Sequence, residues 1–365
     1  MGIKYCTLEN MVNKRAVDEN FWKGKQIYLT GHTGFKGSWL CLWLHSLGAV
    51  VKGYALEPHT NPSLFKSANI ASLIEHEIGD IRDFDRLADS MKSFNPDIVI
   101  HMAAQPLVRL SYANPVDTYA TNVMGTVNVL ESARFCSSIK ALISVTTDKV
   151  YENREWCWGY REDEAMGGYD PYSSSKGCAE LVTSAYRQSF FNGENQPAIA
   201  SARAGNVIGG GDWSEDRLIP DALKAFEKGK KVIIRNPAAI RPWQHVLEPL
   251  SGYLFLAENL YQHGQKYATA WNFGPDDKDC KSVEWILNNL VEIGGNKSSW
   301  EIEKNKQPHE AQYLKLDCSK AKSQLNWYPK WDIETVLKKI VEWHEQFNMG
   351  TDIQRYCLDE IASYN

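Results

Sequence analysis

Gln26-Ile27-Tyr28-Leu29-Thr30-Gly31-His32-Thr33-Gly34-Phe35-Lys36-Gly37 is the stretch on which the fold turns. Its first five residues form a short apolar run of the kind that makes a buried strand. Three glycines follow in the pattern Gly-x-x-Gly-x-x-Gly. Helical spacing then takes over from Ser38 to Leu47, with Leu40, Leu44 and Leu47 on one face and Gly48 as the stop. Strand, glycine turn and helix together make an anion site. Glycine lets the backbone approach a pyrophosphate, and the helix N-terminus presents free amides and a partial positive charge. The spacing is one residue longer than the common dinucleotide fingerprint, yet in this setting it favours a dinucleotide over a structural tight turn.

Working outward, Val50 to Leu56 reads as a second strand, closed by Glu57, a carboxylate suited to a ribose diol. No Arg or Lys follows directly to meet a 2′-phosphate, so NAD is favoured over NADP. His76 to Ile81, Asp97 to His101, Ala141 to Val145 and Ala198 to Ala202 are further strands, while Asp117 to Arg134 and Cys178 to Phe190 are helical. Asp80 and Ile81 are placed to hold the adenine edge, and Ala103 and Ala104 are small enough for close packing on the cofactor. The expected cofactor set is therefore Gly31, His32, Thr33, Gly34, Phe35, Lys36 and Gly37 with Asp80, Ile81, Ala103 and Ala104. Strands alternating with helices imply an α/β fold: a Rossmann-type doubly wound parallel sheet covered on both faces.

The second half has a different texture. Val232 to Ile234 is a short strand, Leu247 to Leu260 a helix, Trp271 to Pro275 a strand ending in a turn, and Glu334 to Phe347 a helix. The expected organisation is an N-terminal extension over residues 1–24, then a dinucleotide-binding domain over 25–205 with returning segments within about 247–278. Residues 206–246 and 279–365 form a smaller C-terminal α/β substrate domain.

Chemistry is concentrated at two places. Thr147-Asp148-Lys149 sets a hydroxyl, a carboxylate and an amine at the end of the Ala141 to Val145 strand. Tyr172 and Lys176 stand at i and i+4, on one face if the segment is helical. A phenolate beside an ammonium is stabilised and can take the proton that alcohol oxidation releases. The acid–base pair at Asp148 and Lys149 implies a second step that a plain dehydrogenase does not need. Each motif alone is weak, since an amphipathic helix or a strand-end turn would explain it. Together, in this order after a glycine cradle, they read as one active site. A catalytically silent NAD sensor on the same fold would be expected to lack the Tyr or the Lys.

Bulk properties narrow the class. A chain of 365 residues accommodates two domains. The net charge of −5 argues against a nucleic-acid binder. The eight cysteines include no Cys-x-x-Cys pair and the nine histidines no His-x-x-x-His pair, so no metal site is expected and the thiols read as reduced and cytoplasmic. No run is long enough for a membrane span, and the N-terminus lacks a secretory apolar core. Met1-Gly2 does not complete a myristoylation signal, because Cys6 occupies the Ser/Thr position.

Several stretches now carry a resemblance: Gly31 to Gly37, Asp80 to Asp83, His101 to Ala104, Asn122, Thr147-Asp148, Tyr172 with Lys176, Arg203 to Asp212 and Arg241 to Val246. From Lys25 onward the chain resembles the extended short-chain dehydrogenase/reductase family, in its nucleotide-sugar 4,6-dehydratase branch. The string Thr30 to Leu40 is similar to the members acting on CDP-glucose rather than dTDP-glucose. The resemblance implies NAD as a resident cofactor and net loss of water. Tyr172 would take the C4 hydroxyl proton, with Lys176 lowering its pKa and holding the nicotinamide ribose, and Thr147 would bond the C4 oxygen. Asp148 would be the general acid at C6. Relatives carry a glutamate where this chain has Lys149, whose role is open among C5 base, enolate stabiliser and electrostatic partner of Asp148 or the cofactor phosphates. His32 replaces a small turn residue and is expected to crowd the pyrophosphate. On the substrate side the resemblance implies Gln105, Asn206, Arg217 and Arg241, with Arg109 structural or at the rim. It further implies a homodimer or homotetramer built on the helices 117–134 and 178–190, serving lipopolysaccharide O-antigen synthesis.

Overall fold

Seven parallel strands form the central sheet of the computed structural model, which describes residues 16–294, 299–303 and 311–365. They are β1 (Gln26–Thr30), β2 (Val50–Ala55), β3 (Glu75–Ile78), β4 (Ile98–His101), β5 (Ala141–Val145), β6 (Ala198–Arg203) and β8 (Ala270–Asn272). In space they run β8-β6-β5-β4-β1-β2-β3, so the order reverses between β1 and β4. Such a reversal opens a crevice at the carboxyl ends of the strands, where ligands of doubly wound sheets sit. Strands β4, β5 and β6 are buried on both faces, which is why they read as unbroken apolar runs. Edge strand β3 is instead polar, and its Glu75 and Glu77 pair with Lys52 of β2 at 2.7 and 3.3 Å.

Helix α1 (Phe35–Ser46) follows the glycine turn at once, three residues earlier than its leucine spacing suggests. Helix α2 (Pro171–Ser189) likewise begins well before Cys178. Asp170 caps it by accepting from the Ser173 amide at 2.9 Å, and Pro171 suits the first turn. The serine run is thus a capped helix start, and it puts Tyr172 and Lys176 on one helix. The expected helix 117–134 is divided into Pro115–Tyr119, a π turn at Ala120–Met124 and Gly125–Arg134. Inside the π turn, the Asn122 side chain receives the Gln105 amide (2.8 Å) and donates to Ser175 Oγ (2.9 Å). Strand β8 stops before Gly274-Pro275 because proline has no amide for the ladder.

Beyond β6 a separate apolar core forms around Ile219, Val232, Ile234, Ile286, Leu290 and Ile340. It joins α3 (Leu218–Glu227), β7 (Val232–Ile234) and α5 (Ile333–Asn348). Not all of residues 279–365 belong to this core. The terminal helix Ile353–Tyr364 packs on α1, with Tyr364 edge-on to Trp43 at 5.6 Å, and Trp327 lies in the core of the large sheet. At the other end, Trp22 is fully buried and donates from its indole nitrogen to Glu258 of α4 (Leu247–His263) at 2.9 Å. Residues 1–15, including Cys6 and the Met1-Gly2 start, lie outside the described residues.

Candidate active site

One cleft of about 1040 Å³ runs from the glycine turn, over the end of β5, to the wall made by α3 and β7. At the first end the backbone leaves no room for side chains. Gly31 has φ +81°, and a Cβ there would lie 2.7 Å from the Ala103 amide nitrogen; one at Gly37 would overlap the Gly31 carbonyl. Gly34 caps α1 without any side-chain bond, so the first-turn amides stay available to a ligand. A backbone cradle closed to side chains and an open helix N-terminus fit a dinucleotide pyrophosphate. Thr33, Phe35, Lys36, Glu57, Asp80, Ile81, Ala103 and Ala104 line the same end.

His32 departs from expectation. Its ring is buried and turned away from the cleft, its Nε2 2.7 Å from His76 Nδ1 and its edge on Phe65. Gly53 leaves the space this ring fills, since a Cβ there would overlap it. Burial and His76 hold its pKa down to about 3, so the imidazole is neutral. It therefore cannot crowd a pyrophosphate. Asp80 lines the cleft, but its carboxylate is gripped by Arg82 (Nε–Oδ2 2.9 Å), which lowers its pKa.

At the centre, Thr147 caps the turn after β5 and accepts from the Lys149 amide at 3.4 Å. Its hydroxyl donates to Asp148 Oδ1 at 3.0 Å and, like the Tyr172 phenol, lines the cleft. Burial pushes that phenol up to about 12, with Thr147 and Arg217 pulling the other way. One turn along the helix, the Lys176 ammonium donates to the Val145 carbonyl at 3.0 Å, and burial lowers its pKa to about 8. Asp148 departs further. Its carboxylate is fully buried under Thr147, so close to Gly205 that a Cβ there would overlap it, and Oδ2 has no partner. Asp148 does not line the cleft, whereas Lys149 does, its ammonium 3.5 Å from Asp148 Oδ1.

Towards the far end lie Asn206, Arg217 and Arg241. Asn206 adopts φ +45° and its buried Oδ1 has no partner. Arg217 donates to Asp212 at 2.9 Å, and Arg241 to the Ile240 and Ala311 carbonyls. Gln105 also lines the cleft, but its amide donates to Leu107 O (3.1 Å) and Thr118 Oγ1 (2.9 Å), so it shapes its own loop. Arg109 pairs with Asp216 at 2.8 Å on the cleft's edge.

Two features escape reading by motif. Lys36 donates to the phenol of buried Tyr253 at 2.9 Å, and burial with nearby Lys176 and Arg217 lowers its pKa to about 7. Behind β5, Glu180 and Arg203 form a buried pair (2.9 Å), with Glu180 also receiving the Thr146 and Ser201 hydroxyls. Lys36 and Tyr253 lie more than two hundred residues apart, and no local spacing announces either pair.

Comparison with known proteins follows the same outline. The family model described as GDP-mannose 4,6 dehydratase matches residues 29–340. A CDP-glucose 4,6-dehydratase of Salmonella typhimurium is 58% identical over 352 residues, covering 95% of this chain and 98% of the relative. Among solved structures, a dTDP-glucose 4,6-dehydratase of Bacillus anthracis in complex with NAD has 21% identity and a TM-score of 0.73, covering 91% of this chain and all of that one. A UDP-glucose 4-epimerase of Thermotoga maritima, in a structure with UDP-glucose, has 22% identity and a TM-score of 0.76, covering 88% and 99%.

Proposed function

This chain belongs to the GDP-mannose 4,6-dehydratase family, and we propose that it converts CDP-glucose to CDP-4-keto-6-deoxyglucose with NAD as resident cofactor. The observation that carries the reading is the cleft in which a glycine cradle, Thr147, Tyr172 and Lys149 meet. The 58% identity to a CDP-glucose 4,6-dehydratase supports the choice of substrate.

Gly31, Gly34 and Gly37 hold the dinucleotide, with Glu57 and Asp80 at its adenosine end. NAD held there would supply the hydride acceptor for C4 of the sugar and the hydride donor for C6. Tyr172 takes the C4 hydroxyl proton, and Thr147 and Arg217 favour its phenolate. Lys176, fixed on Val145, keeps a cation beside that base. Lys149 faces the sugar; as the free amine it removes the C5 proton once C4 is a ketone, and the ammonium so formed gives that proton to the departing C6 hydroxyl, which leaves as water. The buried Asp148 carboxylate acts through Lys149 and Thr147 rather than by touching C6. Asn206, Arg217 and Arg241 grip the pyrophosphate of the substrate, where guanidinium groups suit phosphate oxygens.

We read the active unit as a homo-oligomer. Val116, Met124 and Leu181 are 82%, 53% and 61% exposed on the neighbouring segments 115–134 and 171–189, more apolar surface than isolated exposed residues leave. Among the described residues no helix is long and apolar enough to cross a membrane. A cytoplasmic site and a role in supplying deoxysugars for lipopolysaccharide O-antigen complete the reading.

The test is turnover of CDP-, dTDP-, UDP- and GDP-glucose with NAD in deuterated water, followed by mass spectrometry. Loss of water from CDP-glucose with one deuterium gained at C5 is expected. Water loss from another nucleotide alone would overturn the substrate, and accumulating NADH without water loss would overturn the reaction. Replacing Lys149 by Met should abolish C5 exchange; unchanged exchange would remove the lysine as base.

A further inference from the structure

We propose that Asp221 reads the nucleobase, accepting a hydrogen bond from the exocyclic amine of cytosine and repelling the 4-oxo group of uracil or thymine. This deepens, and rests on, the reading of the substrate as a cytidine diphosphate sugar. With the cradle at one end and the reacting sugar over Thr147 and Tyr172, the substrate's nucleoside must extend past Arg217 and Arg241. The cleft there continues between the first turn of α3 and strand β7, whose apolar residues suit the faces of a base. Its edge needs polar groups of the right sign. Among the described residues, three carboxylates border that end. Asp212 is taken by Arg217 (2.9 Å), and Asp216 by Arg109 (2.8 Å) and Arg235 (3.5 Å). The third, Asp221, is exposed to the cleft, and its side chain has no ion pair or hydrogen bond among the described residues.

An anionic acceptor distinguishes these bases by sign. Cytosine offers a donor at position 4 where uracil and thymine offer an acceptor, so the same carboxylate attracts one and repels the others. Lys224 and Arg235 are the cations whose fields reach Asp221, and Asp216 is the neighbouring anion. Arg235 is held by Asp216, which leaves the Asp221 carboxylate to the ligand.

The experiment measures binding of CDP and UDP to the full chain by calorimetry, and kcat/KM for CDP-glucose and UDP-glucose, in the wild type, Asp221→Asn and Asp221→Leu. Exposure of the residue makes a folding defect unexpected, and circular dichroism verifies that. Asn presents both a donor and an acceptor, so its CDP-over-UDP preference should fall roughly 10-fold or more. Leu should weaken CDP and strengthen UDP, since it removes both the attraction and the repulsion. A preference that persists undiminished in both variants would overturn the assignment while leaving the cytidine reading intact. Equal binding of CDP and UDP by the wild type would instead remove the cytidine reading, and this inference with it.

Discussion

The two ends of the cleft are built on different plans. The cradle is a contiguous piece of chain, Gly31 to Gly37, whose shape is fixed by backbone atoms that a Cβ would strike. The centre and far wall are assembled from residues as distant as Gln105, Lys149, Tyr172, Arg217 and Arg241, each brought by a different element. A contiguous backbone site tolerates almost no change but needs few side chains. An assembled site depends on each side chain separately, and its residues can be altered one at a time without loss of the fold.

The largest expected effect tests the assembled half. Tyr172→Phe keeps the ring but removes the proton acceptor, and turnover of CDP-glucose should fall on the order of 10²–10⁴-fold. NAD affinity, titrated on the same protein, should stay within a few fold. If both collapse together, the two ends are not separable. Gly37→Val is the complementary change. Its side chain meets the Gly31 carbonyl and the His32 backbone, neither of which can yield. NAD binding should become undetectable, and stability in urea should drop by about 3 kcal/mol or more, as backbone overlap in a core does. A variant that still binds NAD would show that the cradle is less constrained than its glycines indicate.

Legibility in the sequence follows the same division. The glycines, the Tyr172–Lys176 pair and strands β1, β5 and β7 could be read directly, because local spacing reports backbone requirements and helix faces. The start of α2 at Pro171 carries a local signal, the Asp170 cap followed by Pro171, but the serines after it have weak helix preference and mask it. Asp148 was placed correctly beside Lys149, but which of the two faces the cleft depends on Gly205, more than fifty residues away. His32 was misread for the same reason: the space for its ring is made by Gly53 on the next strand. Side-chain direction at an assembled site is decided by neighbours that local sequence does not contain.

Lys36 offers a smaller effect at the junction of the two ends. Its lowered pKa, about 7, means that the ammonium loses its charge across the neutral range. A cation near a diphosphate favours binding, so NAD affinity should fall a few fold between pH 6 and 8. Lys36→Met removes the charge and should flatten that profile without unfolding the chain. A wild-type profile that is already flat would place Lys36 too far from the diphosphate to matter.

The smallest effect is on stability, and it sets a buried histidine of the cradle against buried glutamates outside the cleft. His32 at the cradle, His101 in β4 and His245 beside Glu360 are buried and held at about 3, chiefly by burial. Their unfolded value is 6.5, so below it the unfolded chain binds protons that the native chain refuses, and stability is lost as pH falls from about 6.5 towards 3. Glu248 and Glu360 act oppositely, raised by burial to about 7 and about 8 from 4.5. Above 4.5 the unfolded chain releases protons that the native chain retains, so their contribution is lost as pH rises from about 4.5 to 8. Three histidines outweigh two glutamates below 6.5; above it the glutamates act until Lys36 and Lys176, held by burial at about 7 and about 8 against 10.5 in the unfolded chain, offset them. The melting temperature should therefore peak near pH 6.5, fall by a few degrees on the acid side and fall less on the alkaline side. Glu360→Gln should soften the alkaline fall, and His32→Phe the acid one. If either substitution moves the opposite limb, the two regions share their titrations and are not independent.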